Sequence, residues 1–443
     1  MQRIRIGFVP IARPTFDLGL ARELTGRMVE ALAGYDLCGS PELVMDADAV
    51  GARIDELAEA RLDMLLLLQA SFADSTMALE LARAIDAPLL LWALPEAQVG
   101  GRLRINSFCG VNLAAHGLRR AGIAYETIVA APDDPKAHAK LHDFARAASV
   151  KRRLQGARIG RLGENPAGFD TCLVDRAGLR SWLGVEVPQI DLPPFFQAAR
   201  MADPKRIDAL AANLRKRLAD FDTHKSAETR GTLGAYLALD ELARDEKLDG
   251  VAVRCWPEFF TDLGCSACGA MSMLSDALTP TSCEADVNGT ITQLILQWLS
   301  GEPAFGSDIV AFDLDADAAT LWHCGLAPLS MADPAVTPSA ALHSNRAKPL
   351  LMQFPLKPGR VTLARLSEAS GAFRLVIGRG EMLKAPLAFG GTSGRIRFGS
   401  GAAAVMDKLL GEGLEHHISL TYGEHGRALE ILARMLGMDV LWL

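Results

Sequence analysis

The sequence predicts an α/β protein in which two α/β domains precede a mainly β C-terminal domain. Strand-like and helix-like runs alternate through most of the chain, and several strands are apolar throughout, which is typical of a parallel sheet covered on both faces. After Pro349 the segments shorten and glycine, arginine and threonine become frequent, which favours antiparallel strands joined by glycine turns. The length of 443 residues, 49% of them hydrophobic, suits about three domains with buried cores.

The first domain is predicted over residues 1–155. Its run 64–68 is apolar on both faces, as a central strand should be. The predicted strands are 3–9, 43–45, 63–69, 89–94 and 125–129, and the predicted helices are 18–32, 48–61, 75–85, 112–121 and 135–154. This alternation indicates parallel strands joined by helical crossovers.

The second domain is predicted over residues 156–345 and the third over residues 346–443. In the second, we expect strands at 158–162, 185–192, 250–255 and 308–313, and helices at 199–221, 226–245 and 283–299. In the third, we expect strands at 350–354, 360–366, 373–380, 395–399 and 440–442, with one helix at 425–436. Short segments bounded by glycine turns indicate that the third domain is mainly β.

Charge and composition exclude several classes of partner. The chain carries 46 basic and 53 acidic residues, a net charge of -7, so no overall positive field favours nucleic acid. The longest apolar runs, 64–68 and 89–94, are far shorter than the roughly 20 residues of a membrane helix. Residues 1–10 resemble a strand rather than a secretory signal, and the eight cysteines are widely spread, so we expect a cytoplasmic protein with reduced thiols.

Glu284 is the first candidate for a functional carboxylate. It lies one turn before an apolar helical face formed by Val287, Ile291, Leu294, Ile295, Trp298 and Leu299. A carboxylate on that buried side needs a partner or a metal. The spacing Thr281-x-x-Glu284 also fits a capping box, in which Glu284 would only close the start of the helix. Spacing alone leaves both interpretations open.

Further candidates lie near the ends of later strands. Asp308 begins a predicted strand, and it is either a ligand or a solvated turn residue. His416 and His417 are neighbours before an apolar run, so on a strand only one of them would face a given site. His323 is either a site residue or a satisfied core histidine. Two carboxylates and an imidazole form a reasonable ligand set for a hard divalent cation.

Two other motifs do not support a function. Cys265-x-x-Cys268 has no second ligand pair at the spacing of a zinc finger. Gly160-x-x-Gly163 lacks the full dinucleotide fingerprint, and the run 390–394 lacks the lysine of a phosphate-binding loop.

Three separated stretches resemble the L-fucose isomerase family. They are 283–289 with the helix that follows it, the turn 301–304 with Asp308 beyond it, and 416–424 near the C-terminus. The family has a glutamate opening a helix, an aspartate just past a G-x-P-A turn, and a C-terminal histidine. In this comparison His417 takes the histidine position and His416 replaces an asparagine. The stretches 322–325, 106–110 and 168–172 also resemble parts of fucose-isomerase-like chains.

The resemblance implies two Rossmann-like α/β domains and a barrel-like C-terminal domain. It also implies an aldose–ketose isomerase that uses Mn²⁺, or another hard divalent cation, and works as a homo-oligomer, commonly a hexamer. Glu284, Asp308 and His417 would hold the metal. By comparison with the related L-arabinose isomerases, His323 would be a fourth ligand or a substrate contact.

The expected reaction moves a proton between C1 and C2 of an open-chain sugar through an enediolate, with Glu284 and Asp308 as the acid/base pair. Arg13, Gln69 and Trp92, at or near the ends of predicted strands of the first domain, are further candidates for substrate contact, together with His416. Arg13 would meet an anionic group of the substrate, unless it is simply a surface turn charge.

Two alternatives belong to other functional classes. One is a non-catalytic protein that binds or senses a sugar, since paired α/β lobes also occur in such proteins. The other is a metal-dependent sugar lyase or epimerase, which would use the same enediolate chemistry.

Overall fold

The computed structural model describes residues 3–96, 100–224 and 226–443, and the chain divides into two compact units, Met1–Arg152 and Arg153–Leu443. The fold class predicted from the sequence is confirmed: parallel α/β sheets are followed by an antiparallel barrel. In the described part of the chain, no helix is both long and apolar enough to cross a lipid bilayer.

The N-terminal unit is built on a five-stranded parallel sheet in the order β2-β1-β3-β4-β5. The strands are β1 Arg5–Ile11, β2 Asp36–Cys38, β3 Met64–Gln69, β4 Leu89–Ala93 and β5 Tyr125–Val129. The helices are α1 Leu18–Ala31, α2 Ala47–Ala58, α3 Ser75–Ala84, α4 Ser107–Arg120 and α5 Pro135–Leu154. Every residue of β3 and β4 is buried, as the apolar runs predicted. Asp17, Asp46 and Asp74 begin α1, α2 and α3 by accepting backbone N–H groups.

The second unit begins with a four-stranded parallel sheet in the order β7-β6-β8-β9. Its strands are β6 Ile159–Leu162, β7 Gln189–Ile190, β8 Gly250–Val253 and β9 Thr281–Ser282. Its helices are α6 Arg176–Gly178, α7 Leu192–Arg200, α8 Pro204–Arg217, α9 Ala227–Asp245, α10 Cys268–Asp276 and α11 Val287–Ser300. The single helix predicted at 199–221 is wrong, because Asp203 caps a new helix whose first residue is Pro204.

Six antiparallel strands of the same unit close into a barrel. Around the barrel they are β16, β11, β10, β17, β14 and β15, and the pairing of β15 with β16 completes the ring. Their bounds are β10 Phe305–Asp313, β11 Ala318–His323, β14 Gly359–Ser367, β15 Arg374–Leu383, β16 Thr392–Phe398 and β17 His417–Tyr422. Strands β12 Ser339–Ala341, β13 Leu351–Pro355 and β18 Asp439–Trp442 extend it, and helices α12 Ala402–Gly411 and α13 Gly426–Met435 lie between its later strands in the chain. Helix α12 was not predicted.

Helix α11 lies between the four-stranded sheet and the barrel. It contacts β8 and β9 of the sheet and β10, β14 and β17 of the barrel. All of its residues except Ser300 are buried. One continuous hydrophobic core joins this sheet to the barrel, so the second unit folds around a shared interior. The start of α11 is therefore held from both sides, and this is where the candidate site forms.

Candidate active site

Asp308 and His417 are neighbours across two strands of the barrel. Antiparallel pairing of β10 with β17 sets Asp308 directly opposite His417, and pairing of β10 with β11 sets Trp322 opposite Asp308 on its other side. His323 follows Trp322 at the end of β11. Side chains on adjacent strands of one barrel therefore come together although they are distant in sequence.

Glu284 reaches the same place from the parallel sheet. It lies in the short turn between β9 and α11, where Glu284 has φ 52° and the next residue, Ala285, has φ 55°. Left-handed backbone at a non-glycine residue costs on the order of 1 kcal/mol, and such strain is concentrated at functional sites. The turn points the Glu284 side chain into the interior, where the residue is 8% exposed.

The capping interpretation of Glu284 is wrong. Helix α11 begins at Val287, not at Cys283, and Asp286 is its N-cap, with the carboxylate accepting the Gly289 N–H at 2.9 Å. Because Asp286 performs the capping, the Glu284 carboxylate is free to face the pocket.

Three candidate ligands converge on a single point. The Nε2 atom of His417 lies 3.2 Å from Oε2 of Glu284 and 3.5 Å from Oδ1 of Asp308. Both carboxylate oxygens are buried and form no hydrogen bond within the part of the chain that the structure describes. One imidazole N–H between two carboxylates satisfies them poorly, whereas a divalent cation would compensate both charges. This donor set of two carboxylates and one imidazole fits a hard divalent ion.

Asp286 fixes the orientation of His417. The Nδ1 atom of His417 donates to Oδ2 of Asp286 at 2.9 Å, and the Arg365 guanidinium donates to the same oxygen at 2.5 Å. An imidazole anchored through Nδ1 presents Nε2 to the site, as metal-bound histidines commonly do. Asp286 and Arg365 are both fully enclosed, so this ion pair belongs to the interior. Sequence reasoning missed both residues, although Asp286 lies inside the stretch that resembles the family.

The electrostatics of the cluster favour charged groups despite burial. Burial acts to raise the pKa of Glu284, but the close contact with His417 and its charge outweigh it and lower that pKa. Burial also acts to raise the pKa of Asp286, and the positive charge of Arg365 outweighs it. For His417, burial opposes the charged form, yet the hydrogen bond to Asp286 raises the pKa well above its ordinary value.

His323 lies beside Glu284 and His417 and close to several cysteine thiols. Its ring centroid is 5.6 Å from that of His417, and ligand atoms of Glu284, His323 and His417 all lie within 4.8 Å of one another. The backbone N–H of Cys324 donates to its Nδ1 at 2.8 Å, so in the neutral ring the proton lies on Nε2, which can donate it to a substrate. Burial lowers the pKa of His323, and the charge of the Cys324 thiolate raises it to about 9.

Cys265 and Cys268 do not come together as the ligand pair that a Cys-x-x-Cys motif suggests. All eight cysteines are free, and Sγ of Cys268 lies 3.1 Å from Sγ of Cys324. Cys265 belongs to none of the groups of possible metal ligands found among the described residues. Thiols 255, 268, 283 and 324 instead line a cavity of about 230 Å³ whose walls include Glu284, Asp308 and His323.

His416 lines the same cavity although its neighbour His417 is a candidate ligand. The two rings lie 4.0 Å apart between centroids, because β17 begins only at His417 and His416 precedes the regular alternation. The Nδ1 atom of His416 is 2.7 Å from the hydroxyl of Thr171, and its ring contacts Phe169 edge-on at 5.8 Å. The stretch 168–172, noted from the sequence, therefore contributes to the wall of the pocket.

Arg13, Gln69 and Trp92 belong to the N-terminal unit. The Arg13 guanidinium is ion-paired with Asp74 at 2.6 Å, and Nε1 of Trp92 donates to the carbonyl of Ala130 at 2.9 Å. Gln69 is fully buried, and its side-chain amide has no hydrogen-bond partner among residues 3–96, 100–224 and 226–443. A role for these three in a sugar site stays a prediction.

Two profiles of one protein family match the chain. Residues 7–155 match the N-terminal domain described as fucose/sulfoquinovose isomerase, and residues 321–443 match the L-fucose isomerase C-terminal domain. Together they cover more than half of the sequence. The chain belongs to the fucose isomerase family. It is accordingly a sugar isomerase that interconverts aldoses and ketoses, as the sequence resemblance predicted.

Curated relatives of this family member match over its whole length. The sulfoquinovose isomerase of Priestia aryabhattai is 29% identical over 443 residues, with 99% of each chain covered. That of Alkalicoccus urumqiensis is 29% identical over 441 residues, with 98% of each covered. That of Clostridium sp. (strain MSTE9) is 28% identical over 448 residues, with 99% of each covered. These relatives favour the isomerase over the sugar-sensing and the lyase or epimerase alternatives.

Proposed function

We propose that this sugar isomerase depends on a divalent cation, Mn²⁺ or another hard ion, held by Glu284, Asp308 and His417. The observation that carries the proposal is the pair of buried carboxylate oxygens, 3.2 and 3.5 Å from one imidazole nitrogen, that have no hydrogen bonds of their own within the described residues. Such groups are costly to bury unless a ligand compensates them.

The chemistry proposed for the cation is that of a Lewis acid. When bound, it would polarise the sugar carbonyl and stabilise the negative charge of the enediolate. Asp286 and Arg365 hold the His417 ring in the orientation that presents Nε2.

Glu284 and Asp308 are the proposed acid/base pair. One carboxylate removes the proton from C2 of the open-chain aldose, and a proton is returned to C1 while the hydroxyl proton passes from O2 to O1. The product is the ketose, with no atoms gained or lost. The indole N–H of Trp256 donates to Oε1 of Glu284 at 3.0 Å, which fixes the carboxylate and directs Oε2 toward the reacting atoms.

The proposed substrate is an aldose with a sulfo group. The support is the name shared by the curated relatives, sulfoquinovose isomerase, together with their full-length match. His323, His416, Arg13, Gln69 and Trp92 are the proposed substrate contacts. A homo-oligomer, with a hexamer favoured, and a cytoplasmic location are part of the same proposal.

The test is solvent deuterium exchange into sulfoquinovose, followed together with ketose formation. The chelated protein should do neither, and added Mn²⁺ should restore both. Binding without exchange would favour the sensing protein, and exchange without ketose would favour an epimerase or lyase. Full activity after exhaustive chelation would overturn the metal dependence.

A further inference from the structure

Arg346 lies at the wall of the pocket that contains Glu284 and Asp308. It belongs to the segment between β12 and β13, and it is exposed to solvent. The central carbon of its guanidinium lies 5.1 Å from the ring centroid of Trp256 and 5.0 Å from that of Phe260. Both distances are within the range of a cation–π contact, so the two aromatic rings support the guanidinium.

The guanidinium charge of Arg346 has no ionic partner among the described residues. No acidic side chain forms an ion pair with it in the part of the chain that the structure describes, although most nearby cations are paired. Lys348 pairs with Glu228 at 3.3 Å, and Arg254 pairs with Glu258 at 2.7 Å. Of the described residues that line this pocket, Arg346 is the only arginine or lysine.

Trp256 relates this cation to the proposed reaction centre. Its Nε1 atom donates to Glu284, while Arg346 stacks on the same indole. The guanidinium and the carboxylate therefore contact the same indole ring. An extended chain advances about 3.5 Å per three bonds, so the five bonds from C1 to C6 of a hexose span about 6 Å. A hexose with its carbonyl end at Glu284 could place its far end at Arg346.

We infer that Arg346 binds an anionic group at the end of the substrate far from the carbonyl, and that this group is a sulfonate. The inference rests on the proposed function, because it assumes that the carbonyl end lies at Glu284. A guanidinium fork donates two parallel N–H bonds to an oxyanion, and the stacked aromatics reduce the freedom that it loses on binding. Arg346 thereby selects sulfonated over neutral aldoses.

The experiment compares Arg346→Gln with wild type on sulfoquinovose and on 6-deoxyglucose, its neutral counterpart. With sulfoquinovose, KM should rise about 10- to 100-fold while kcat changes little, because the lost bonds bind substrate and transition state equally. With 6-deoxyglucose, both constants should stay the same. Arg346→Lys keeps the positive charge but loses the two parallel N–H donors of the guanidinium. Its KM for sulfoquinovose should therefore lie between those of the wild type and Arg346→Gln.

Arg379→Gln is the matched control. Arg379 is also an exposed arginine stacked on a tryptophan, 4.4 Å from the Trp442 centroid, but it is paired with Glu424 and does not line the pocket. This variant should keep wild-type constants on both sugars. Propane-1-sulfonate provides a second measurement, since it should inhibit the wild type competitively and lose that inhibition in Arg346→Gln.

The possible failures are distinguishable. If the wild type isomerises neither sugar, the proposed function is wrong. If the wild type is active but Arg346→Gln has an unchanged KM for sulfoquinovose, the proposed function stands and the role of Arg346 is refuted. An equal rise of KM for both sugars would also refute the assignment, because it would indicate a general disturbance of the pocket.

Discussion

The inner end of the site, at Glu284, Asp308 and His417, is rich in charge and mostly buried, whereas the outer end has an exposed cation, Arg346, on two aromatic rings. The inner groups are held by strand pairing, a strained turn and the buried Asp286–Arg365 pair. The outer group is held only by stacking. The inner end suits the chemical step, which needs rigid groups shielded from water. The outer end suits substrate recognition, which tolerates contact with solvent. Changes at the two ends should therefore differ in both size and kind.

The largest effect should come from Glu284→Gln. Removing the proposed base and metal ligand should lower kcat by about 1,000-fold or more. The melting temperature should not fall, since the amide removes a buried charge and can still accept from Trp256. Steady-state kinetics and thermal unfolding would measure the two quantities.

Glu302→Gln is the control for that change, because Glu302 is an exposed glutamate just after α11. It should keep wild-type activity. A Glu284→Gln protein with more than about a tenth of wild-type kcat would contradict a chemical role of the inner end.

Asp286→Asn should have the next largest effect. Weakening the bond that orients His417 should lower Mn²⁺ affinity by about 10- to 100-fold, and saturating Mn²⁺ should recover much of the activity. The protein should also lose up to about 3 kcal/mol of stability, because the buried charge of Arg365 would keep only the more distant Glu415, at 3.8 Å, as an ionic partner. Metal titration and denaturant unfolding are the measurements.

Asp203→Asn separates the loss of helix capping from these effects. Asp203 is the N-cap of α8 and Asp286 that of α11, and asparagine caps about as well as aspartate. The control should retain both stability and metal affinity. Unchanged Mn²⁺ affinity in Asp286→Asn would show that His417 needs no such support.

Metal binding should stabilise the folded protein, and this stabilisation should depend on Glu284 at the inner end and not on Arg346 at the outer end. At a Mn²⁺ concentration of 100 times Kd, the free energy of unfolding should rise by about 2.7 kcal/mol. Arg346→Gln should show the same rise, whereas Glu284→Gln should show little of it. If Arg346→Gln lost the stabilisation, the separation of the two ends would not hold.

The smallest effect should come from Thr171→Val at the wall of the pocket. The Thr171 hydroxyl contacts His416 at an exposed position, and one such hydrogen bond is worth about 1 kcal/mol. We expect KM to rise by about fivefold or less, with unchanged kcat and Mn²⁺ affinity. A large loss of kcat would instead indicate that His416 takes part in the reaction itself.

The sequence was informative where local patterns decide the structure. Apolar runs such as Met64–Gln69 predicted buried parallel strands, and the inward face of the helix after Glu284 predicted that this carboxylate is buried. It was less informative at element boundaries. The helix predicted to begin at Cys283 begins at Val287, because two left-handed residues form a turn that periodicity does not reveal.

By itself, then, the sequence determined the fold class through hydrophobic periodicity, which acts over a few residues. Its resemblance to the L-fucose isomerase family selected Glu284, Asp308 and His417 from the candidates. Only the tertiary structure decided that these side chains meet, since strand pairing brings position 308 opposite 417 across more than a hundred residues. It also brought Asp286, Arg365 and Arg346 to the positions on which their proposed roles rest. Each of them is an ordinary charged residue in the sequence. What it can do depends on whether folding gives its charge an ionic partner, as for Asp286 and Arg365, or none among the described residues, as for Arg346.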